Sequence, residues 1–364
     1  MFDRKHPAPR ASSIPLRVNS SDSRIVVLGH RDIPPLLPMA ECIEVMAAAL
    51  ATLARGDAVL PLRPMLRLPD SSNIFALMPA YLGEPRAVGV KAITVFPRNH
   101  GTEVDPHQGA VLLFEAERGR LLAVLDATTI TAIRTAAVSG VATRLLANED
   151  AGDLAILGAG AQGRMHLEAM AAVRPIRRLR VWSRTPAHAR ALAQEGADRY
   201  GLDAGASPTA RDAVAGASII CTTTASHEPV LEGAWIAPGA HVNAVGACIP
   251  TTRELDSAAV ARARLFVDRR ESALAEPGDI LVPLREGAIT PRHIVAEIGE
   301  LLLAGGRGGR HDGGEITLFK SLGLAIEDLA AAHHVYTRAA REGAGTWLEL
   351  GGTRAAPAVA GDIH

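Results

Sequence analysis

An apolar run at residues 154–157 leads directly into Gly158-Ala159-Gly160-Ala161-Gln162-Gly163, and a helical pattern follows over residues 162–172. No other stretch constrains the fold as tightly, because its three glycines answer three separate demands. Gly158 permits a tight turn, Gly160 lets a ligand touch the main chain, and Gly163 lets the helix lie against a strand. Strand, spacing and helix together mark a dinucleotide site with the pyrophosphate at a helix N-terminus. Beyond it, apolar strands at 180–183, 218–223, 241–245 and 265–268 alternate with Ala-rich helices such as 186–200. That alternation predicts a parallel sheet covered on both faces. The candidate cofactor contacts are Gly158, Gly160, Ala161, Gln162 and Gly163, joined by Thr223, Val245 and Gly246 at strand carboxyl ends.

The second strand of this unit ends Trp182-Ser183-Arg184-Thr185, with no Asp or Glu. A carboxylate there would accept hydrogen bonds from ribose hydroxyls and repel a 2′-phosphate, whereas Arg184 can pair with that phosphate. The Ser183 and Thr185 hydroxyls can donate to it as well. NADPH is therefore expected over NADH.

The N-terminal portion has a different texture. Residues 39–55 carry apolar positions at helical spacing. Short strands then follow at 61–68, 74–81, 87–95, 109–115 and 121–124, before a small-residue helix at 129–147. Consecutive strands with few crossovers predict a mixed or antiparallel sheet. A polar break at 148–153 separates the two textures, and a last helix at 322–341 can return to the first domain. The expected fold class is α/β: a Rossmann-type doubly wound parallel sheet plus a mixed α/β substrate-binding and dimerisation domain. The expected division is a mobile tail at 1–23, the substrate-binding domain at 24–147 and 320–350, the dinucleotide domain at 148–319, and a mobile tail at 351–364. Lys320, Asp328 and the glycine-rich stretch 305–314 read as domain docking.

Charge and composition narrow the partners. The 364 residues hold 38 Lys+Arg against 39 Asp+Glu, a net charge of −1, which gives no electrostatic case for a polyanion such as nucleic acid. Aromatics are 3% of the chain, too few for base-stacking platforms. No apolar run approaches the roughly 20 residues that span a bilayer. The first 23 residues are basic and serine-rich without an apolar core, so no secretory signal is expected. The three cysteines (Cys42, Cys221, Cys248) are far apart and form no framework, which fits a reduced, cytoplasmic protein. None of the 13 His makes a metal-ligand spacing, and no metal site is expected.

Three cations fall on strand-linked or apolar elements: Arg63 (with Arg67 the alternative), Lys91 and Arg134. Lys91 lies in Val88-Gly89-Val90-Lys91-Ala92-Ile93, and Arg134 lies among Ile130, Ile133 and Val138. A buried cation needs an anion, and neither run supplies a carboxylate. A small carboxylate substrate is the expected counter-ion, held bidentately by arginine. Met65, Met78 and Phe96 are candidates for the pocket wall.

From about residue 24 to 336 the chain resembles the ornithine cyclodeaminase/mu-crystallin family. The resemblance is carried by Met78-Pro79-Ala80-Tyr81, His107-Gln108, residues 121–126, Arg134-Thr135-Ala136-Ala137, the glycine motif, Trp182–Thr185, Asn243-Ala244-Val245-Gly246-Ala247, Arg253-Glu254-Leu255-Asp256, Gly278-Asp279 and Phe319-Lys320-Ser321-Leu322-Gly323. It implies that Arg63, Lys91 and Arg134 bind the substrate carboxylate, that His107 is a second polar group facing the substrate, and that the protein is a homodimer built through its first domain. Where cyclodeaminases of the family carry an Asp, this chain has Cys248. That departure points to the mu-crystallin branch and to NADPH-dependent reduction of a small, cyclic ketimine or imino acid to an amino acid. Reductive amination of a keto acid falls within the same reading. Lys91 is the expected catalytic acid/base, its pKa pushed down by two guanidiniums. The alternatives are a cyclodeaminase-type lyase that recycles NAD, and a non-catalytic NADPH- or ligand-binding protein.

Overall fold

The computed structural model describes residues 24–351, apart from Asp70, Ser71 and His100. The tails expected at 1–23 and 351–364 lie outside the described residues, save for Gly351. Two eight-stranded sheets organise the chain. The first is built from β1 (Arg24–Leu28), β2 (Ala58–Val59), β3 (Met65–Arg67), β4 (Ile74–Gly83), β5 (Arg86–Val95), β6 (His107–Glu115) and β7 (Leu121–Asp126). The second holds β8 (Asp153–Leu157), β9 (Arg178–Trp182), β10 (Asp203–Ala206), β11 (Ile219–Thr222), β12 (His241–Ala244), β13 (Arg264–Val267), β14 (Ile294–Glu297) and β15 (Thr317–Lys320). The chain then returns to the first sheet as β16 (Thr346–Glu349), antiparallel to β1.

The second sheet is parallel throughout, in the order β10-β9-β8-β11-β12-β15-β13-β14. The chain leaves β8 toward β9 on one side and later resumes at β11 on the other. A crevice thus opens at the carboxyl ends of β8 and β11, the Rossmann-type switch point where ligands bind. The first sheet, β16-β1-β7-β6-β5-β4-β2 with β3 beside β4, is mixed. Only its β1–β7 pair is parallel. Both sheets have the character that the sequence pattern predicts.

The strand expected at 61–68 shrinks to β3, because Pro61 and Pro64 have no N–H to give a ladder. β10, β14 and β16 are short strands that the pattern does not announce. The last helix starts at Ala325, not at 322, because Gly323 turns with φ +78° before it.

Helix Ala127–Leu146 joins the two halves. Asp126 caps it by accepting from the Thr129 amide at 2.8 Å. Its small residues, among them Ala136, Ala137 and Gly140, let helices Met39–Ala54 and Ala161–Val173 approach closely. A Cβ on Gly140 would lie 3.0 Å from Ile43. The same helix also touches β6 of the first sheet and β12 of the second. At its far end, Arg174 donates to the carbonyls of Thr143, Arg144, Ala147 and Asn148 at 2.9–3.0 Å. Arg310 reaches Leu146 in the same way, at 2.7 Å. These guanidiniums satisfy the carbonyls that a helix C-terminus leaves open.

β4 alternates strictly: Ile74, Ala76, Met78, Ala80 and Leu82 are buried, while Phe75 and Leu77 face out. Helix Ala325–Glu342 covers the buried face. Among the described residues no helix is long and apolar enough to cross a membrane. Arg174→Ala should lower stability by about 2 kcal/mol, since several carbonyls lose a charged donor at once. A thermal melt, read as a drop of a few degrees in Tm, checks this.

Candidate functional site

Lys91 points to the covered side of β5, in ladder register with Met78 and Val111, and is buried. Its Nζ lies 2.7 Å from Asp328 Oδ2 and donates to Thr131 Oγ1 at 3.3 Å. Arg134, also buried, donates from Nε to Asp328 Oδ1 at 2.8 Å and from Nη1 to Glu327 Oε2 at 2.7 Å. Two cations and two carboxylates therefore meet in one buried cluster. This corrects the expectation that the protein supplies no carboxylate near these cations. The counter-ions come from the last helix, 194 residues after Arg134 for Asp328, so no local pattern could pair them. Asp328 is a member of this cluster and not only a docking residue. The signal was two acids, Glu327 and Asp328, on a helix turn otherwise made of Ala, Ile and Leu.

Burial is the main reason that the Lys91 pKa falls to about 8; Asp328 opposes the shift, and Arg134 and Arg63 add to it. Both guanidiniums act in the expected direction but are secondary to desolvation. Burial also opposes the Arg134 charge, yet Asp328 and Glu327 more than offset it and raise its pKa. Arg134 and Lys91 in turn hold the Asp328 carboxyl below its usual range against its burial.

Arg63 is half-buried beside the same region. Its Nη2 reaches Glu276 at 2.9 Å and donates to the Leu322 and Gly323 carbonyls at 3.0 and 3.2 Å. Asp268 receives the amides of these two residues at 2.6 and 2.9 Å. The turn is thus gripped through both its carbonyls and its amides. Gly323 is required here: besides its positive φ, a Cβ would stand 2.5 Å from Arg134 Nη1. His107 is exposed at the start of β6, where its carbonyl accepts from Thr128 at 2.7 Å. Arg67, the alternative to Arg63, is exposed on β3.

On the other side of the site, Gly158 adopts φ +109°, and a Cβ there would lie 2.7 Å from the Thr223 carbonyl. Thr223 Oγ1 donates to the Gly158 carbonyl at 2.8 Å, closing the β8 and β11 ends together. Gly163 sits so tightly that a Cβ would overlap the Gly158 carbonyl. Gly160, the cap of helix Ala161–Val173, instead faces open space within 4 Å. Tight at two glycines and open at the third, next to a helix N-terminus, this cradle fits a pyrophosphate. Gln162 Nε2 donates to the Thr131 carbonyl at 3.5 Å, linking the glycine loop to the helix that bears Arg134.

Glu254 is a residue that motif reading left without a role. Its carboxylate accepts from Thr222 Oγ1, Thr224 N and Oγ1, and Gly246 N at 2.5–2.8 Å. Asp279 holds the Glu254 and Leu255 amides and pairs with Lys320 at 3.0 Å. The loops carrying Thr223, Val245 and Gly246 are fixed by this buried frame. Ser183 accepts from the Thr185 amide at 3.3 Å, while Arg184 is exposed.

Gln162 thus ties the glycine loop to the helix that carries the buried cluster, and the family model for ornithine cyclodeaminase/mu-crystallin proteins matches residues 24–343. The chain belongs to the ornithine cyclodeaminase/mu-crystallin family. It is 40% identical to ketimine reductase mu-crystallin of Mus musculus, over 81% of this chain and 90% of the relative. The structure of Delta(1)-pyrroline-2-carboxylate reductase from Thermococcus litoralis, in complex with NADH and L-proline, is 38% identical. It superposes with a TM-score of 0.86, covering 88% of this chain and 99% of that one. An archaeal alanine dehydrogenase dimer with bound NAD is 31% identical, with a TM-score of 0.84 over 90% and 99% of the two chains. Similarity is thus divided between family branches, and the expected leaning to the mu-crystallin branch gives way to membership of the family. The expectation of NADPH over NADH is overturned as well: the Thermococcus relative holds NADH. The physical reason is that an exposed Arg184 on a flexible stem, without a built phosphate pocket, does not exclude a 2′-hydroxyl.

Gly323→Ala should displace Arg134 and raise the substrate KM at least tenfold while leaving dinucleotide binding unchanged. Steady-state kinetics and NADH fluorescence titration separate the two effects.

Proposed function

We propose that this protein reduces a small cyclic imino acid, bearing a carboxylate next to its C=N carbon, to the corresponding amino acid. The reaction class is that of an NAD(P)H-dependent oxidoreductase acting on C=N bonds. The single observation behind the substrate choice is the buried Lys91–Asp328–Arg134 cluster beside the dinucleotide cradle. Gly158, Gly160, Gly163 and the helix N-terminus at Ala161 would hold the pyrophosphate, and Thr223, Val245 and Gly246 would border the nicotinamide end. When bound, the reduced nicotinamide supplies a hydride to the imine carbon.

The chain's own residues do the rest. Arg134 keeps donors beyond those used by Asp328 and Glu327, because a guanidinium carries five N–H groups. It orients the substrate carboxylate, with Arg63 adding positive charge at the turn. Lys91, with a pKa of about 8, holds its proton at neutral pH yet gives it up readily. Its ammonium protonates the imine nitrogen, making the adjacent carbon electrophilic, and Asp328 stabilises that ammonium and fixes its direction. Thr131 provides a second anchor for Nζ. Burial of Lys91, Arg134 and Asp328 excludes water from the reacting carbon. Cys248 lies at the border of the two sites, its thiol pushed up by burial and therefore neutral. It offers no charge partner for a second substrate ammonium, which favours an imine over a diamino acid.

The outward face of the first sheet exposes Phe75, Leu77 and Val88. An apolar sheet face of this kind is the surface through which two copies would pair as a homodimer. Leu77→Asp should shift the protein toward monomers in sedimentation velocity, and an unchanged dimer would remove this face from the interface.

Oxidation of NADH or NADPH followed by absorbance, with 1-pyrroline-2-carboxylate and its six-membered analogue, tests the reaction. No oxidation with any cyclic imino acid would overturn it. Lys91→Ala should lower kcat by roughly 10²–10⁴ with dinucleotide binding intact. In the wild type, kcat/KM should fall as pH rises through about 8, because the Lys91 pKa is depressed from its usual value and the proton donor is lost there.

A further inference from the structure

Glu327 is fully buried, and its two oxygens are treated differently. Oε2 is held by Arg134 Nη1 at 2.7 Å, whereas Oε1 has no hydrogen-bond partner among the described residues. An ionised carboxylate with a bare, desolvated oxygen is costly, and a neutral carboxyl is not. The groups around it come from several elements. Arg134 stands on helix Ala127–Leu146, Asp268 follows β13, and Asp328 is its neighbour on its own helix; Lys91 of β5 reaches it only through Asp328. From helix Met39–Ala54 comes Cys42, whose thiol burial keeps neutral. Burial pushes the Glu327 carboxyl up to about 7, with Asp268 and Asp328 adding to the rise and Arg134 opposing it.

We propose that Glu327 takes up a proton from solvent when a carboxylate ligand binds at Arg134, so that the cluster meets the arriving anion with a gained proton. This rests on the proposed function only for the ligand's carboxylate. The sign follows from the neighbours. The ligand adds a negative charge and takes a share of Arg134, the group that most favours the ionised form, with the Leu324 amide adding less. The Glu327 pKa therefore rises on binding. One O–H bond forms at Glu327, the proton coming from buffer, and the Arg134 contact persists on the carboxyl's other oxygen. With Glu327 ionised the cluster holds two cations and two anions; with Glu327 neutral it carries one net positive charge, complementary to a monoanion. Lys91 takes up its own proton only above about pH 8, so measurement near pH 7 isolates Glu327.

Calorimetric titration with pyrrole-2-carboxylate, which has no ionising amine and cannot be reduced, is carried out near pH 7 in buffers of different ionisation enthalpy, with NADH present. The wild type should take up about half a proton per site, because a group with a pKa near the working pH is half ionised when free. Glu327→Gln should take up almost none and should bind with an affinity independent of pH near neutrality. Independently of any variant, the infrared difference spectrum of the wild type should gain a neutral-carboxyl band on binding. Equal uptake in both proteins, or no uptake and no such band in the wild type, overturns the proposal. Loss of uptake in the variant together with inertness toward every cyclic imine would sink the proposed reaction and leave this inference standing.

Discussion

The active half of the molecule depends on one carboxylate. Asp328 touches Lys91 with one oxygen and Arg134 with the other, deep inside the first sheet's covered face. Removing two cations from water costs several kcal/mol each unless partners are well placed, so the pair would not stay charged without it. Because Asp328 lies on the last helix, the chain must cross the whole second sheet and return before either cation is stabilised. The buried cluster is therefore closed by a helix that follows the whole second sheet in the chain.

The same logic governs the joint between the halves. Asp268 and Arg63 hold the turn before the last helix by its amides and carbonyls, and Gly323 lets the Arg134 guanidinium stand against the backbone. On the cofactor side Glu254 performs a comparable task, collecting donors from the β11 and β12 ends. Each buried carboxylate satisfies backbone amides that would otherwise be orphaned at the carboxyl ends of parallel strands. These ends are where ligands approach, so the polar frame and the binding site occupy the same region for the same reason.

The sequence supports the fold more fully than it supports the site. The glycine motif and the alternation of apolar strands with Ala-rich helices are local patterns, and they specify a parallel sheet with its switch point at Gly158. Mixed pairing in the first sheet followed from consecutive strands without crossovers. The short strands β10, β14 and β16 escaped because four residues with at most two buried side chains make no period. Arg184 misled for a related reason: its residue type suggested a phosphate partner, but side-chain exposure decides whether a pocket exists, and exposure is not written in a tetrapeptide.

Lys91 and Arg134 could be singled out from sequence because a cation in an apolar run is anomalous wherever the chain goes. Their partners could not. Glu327 and Asp328 look like ordinary acids in the first turn of a helix, where the macrodipole alone would account for them. What the sequence determined by itself was periodicity and anomaly: which segments are strands, which loop can cradle a phosphate, and which charges need an explanation. Which anions answer those charges was decided only by the tertiary structure. Coulomb interactions act through space, and the helix that carries the carboxylates is brought to Lys91 and Arg134 by sheet topology, across 194 residues from Arg134 and more from Lys91.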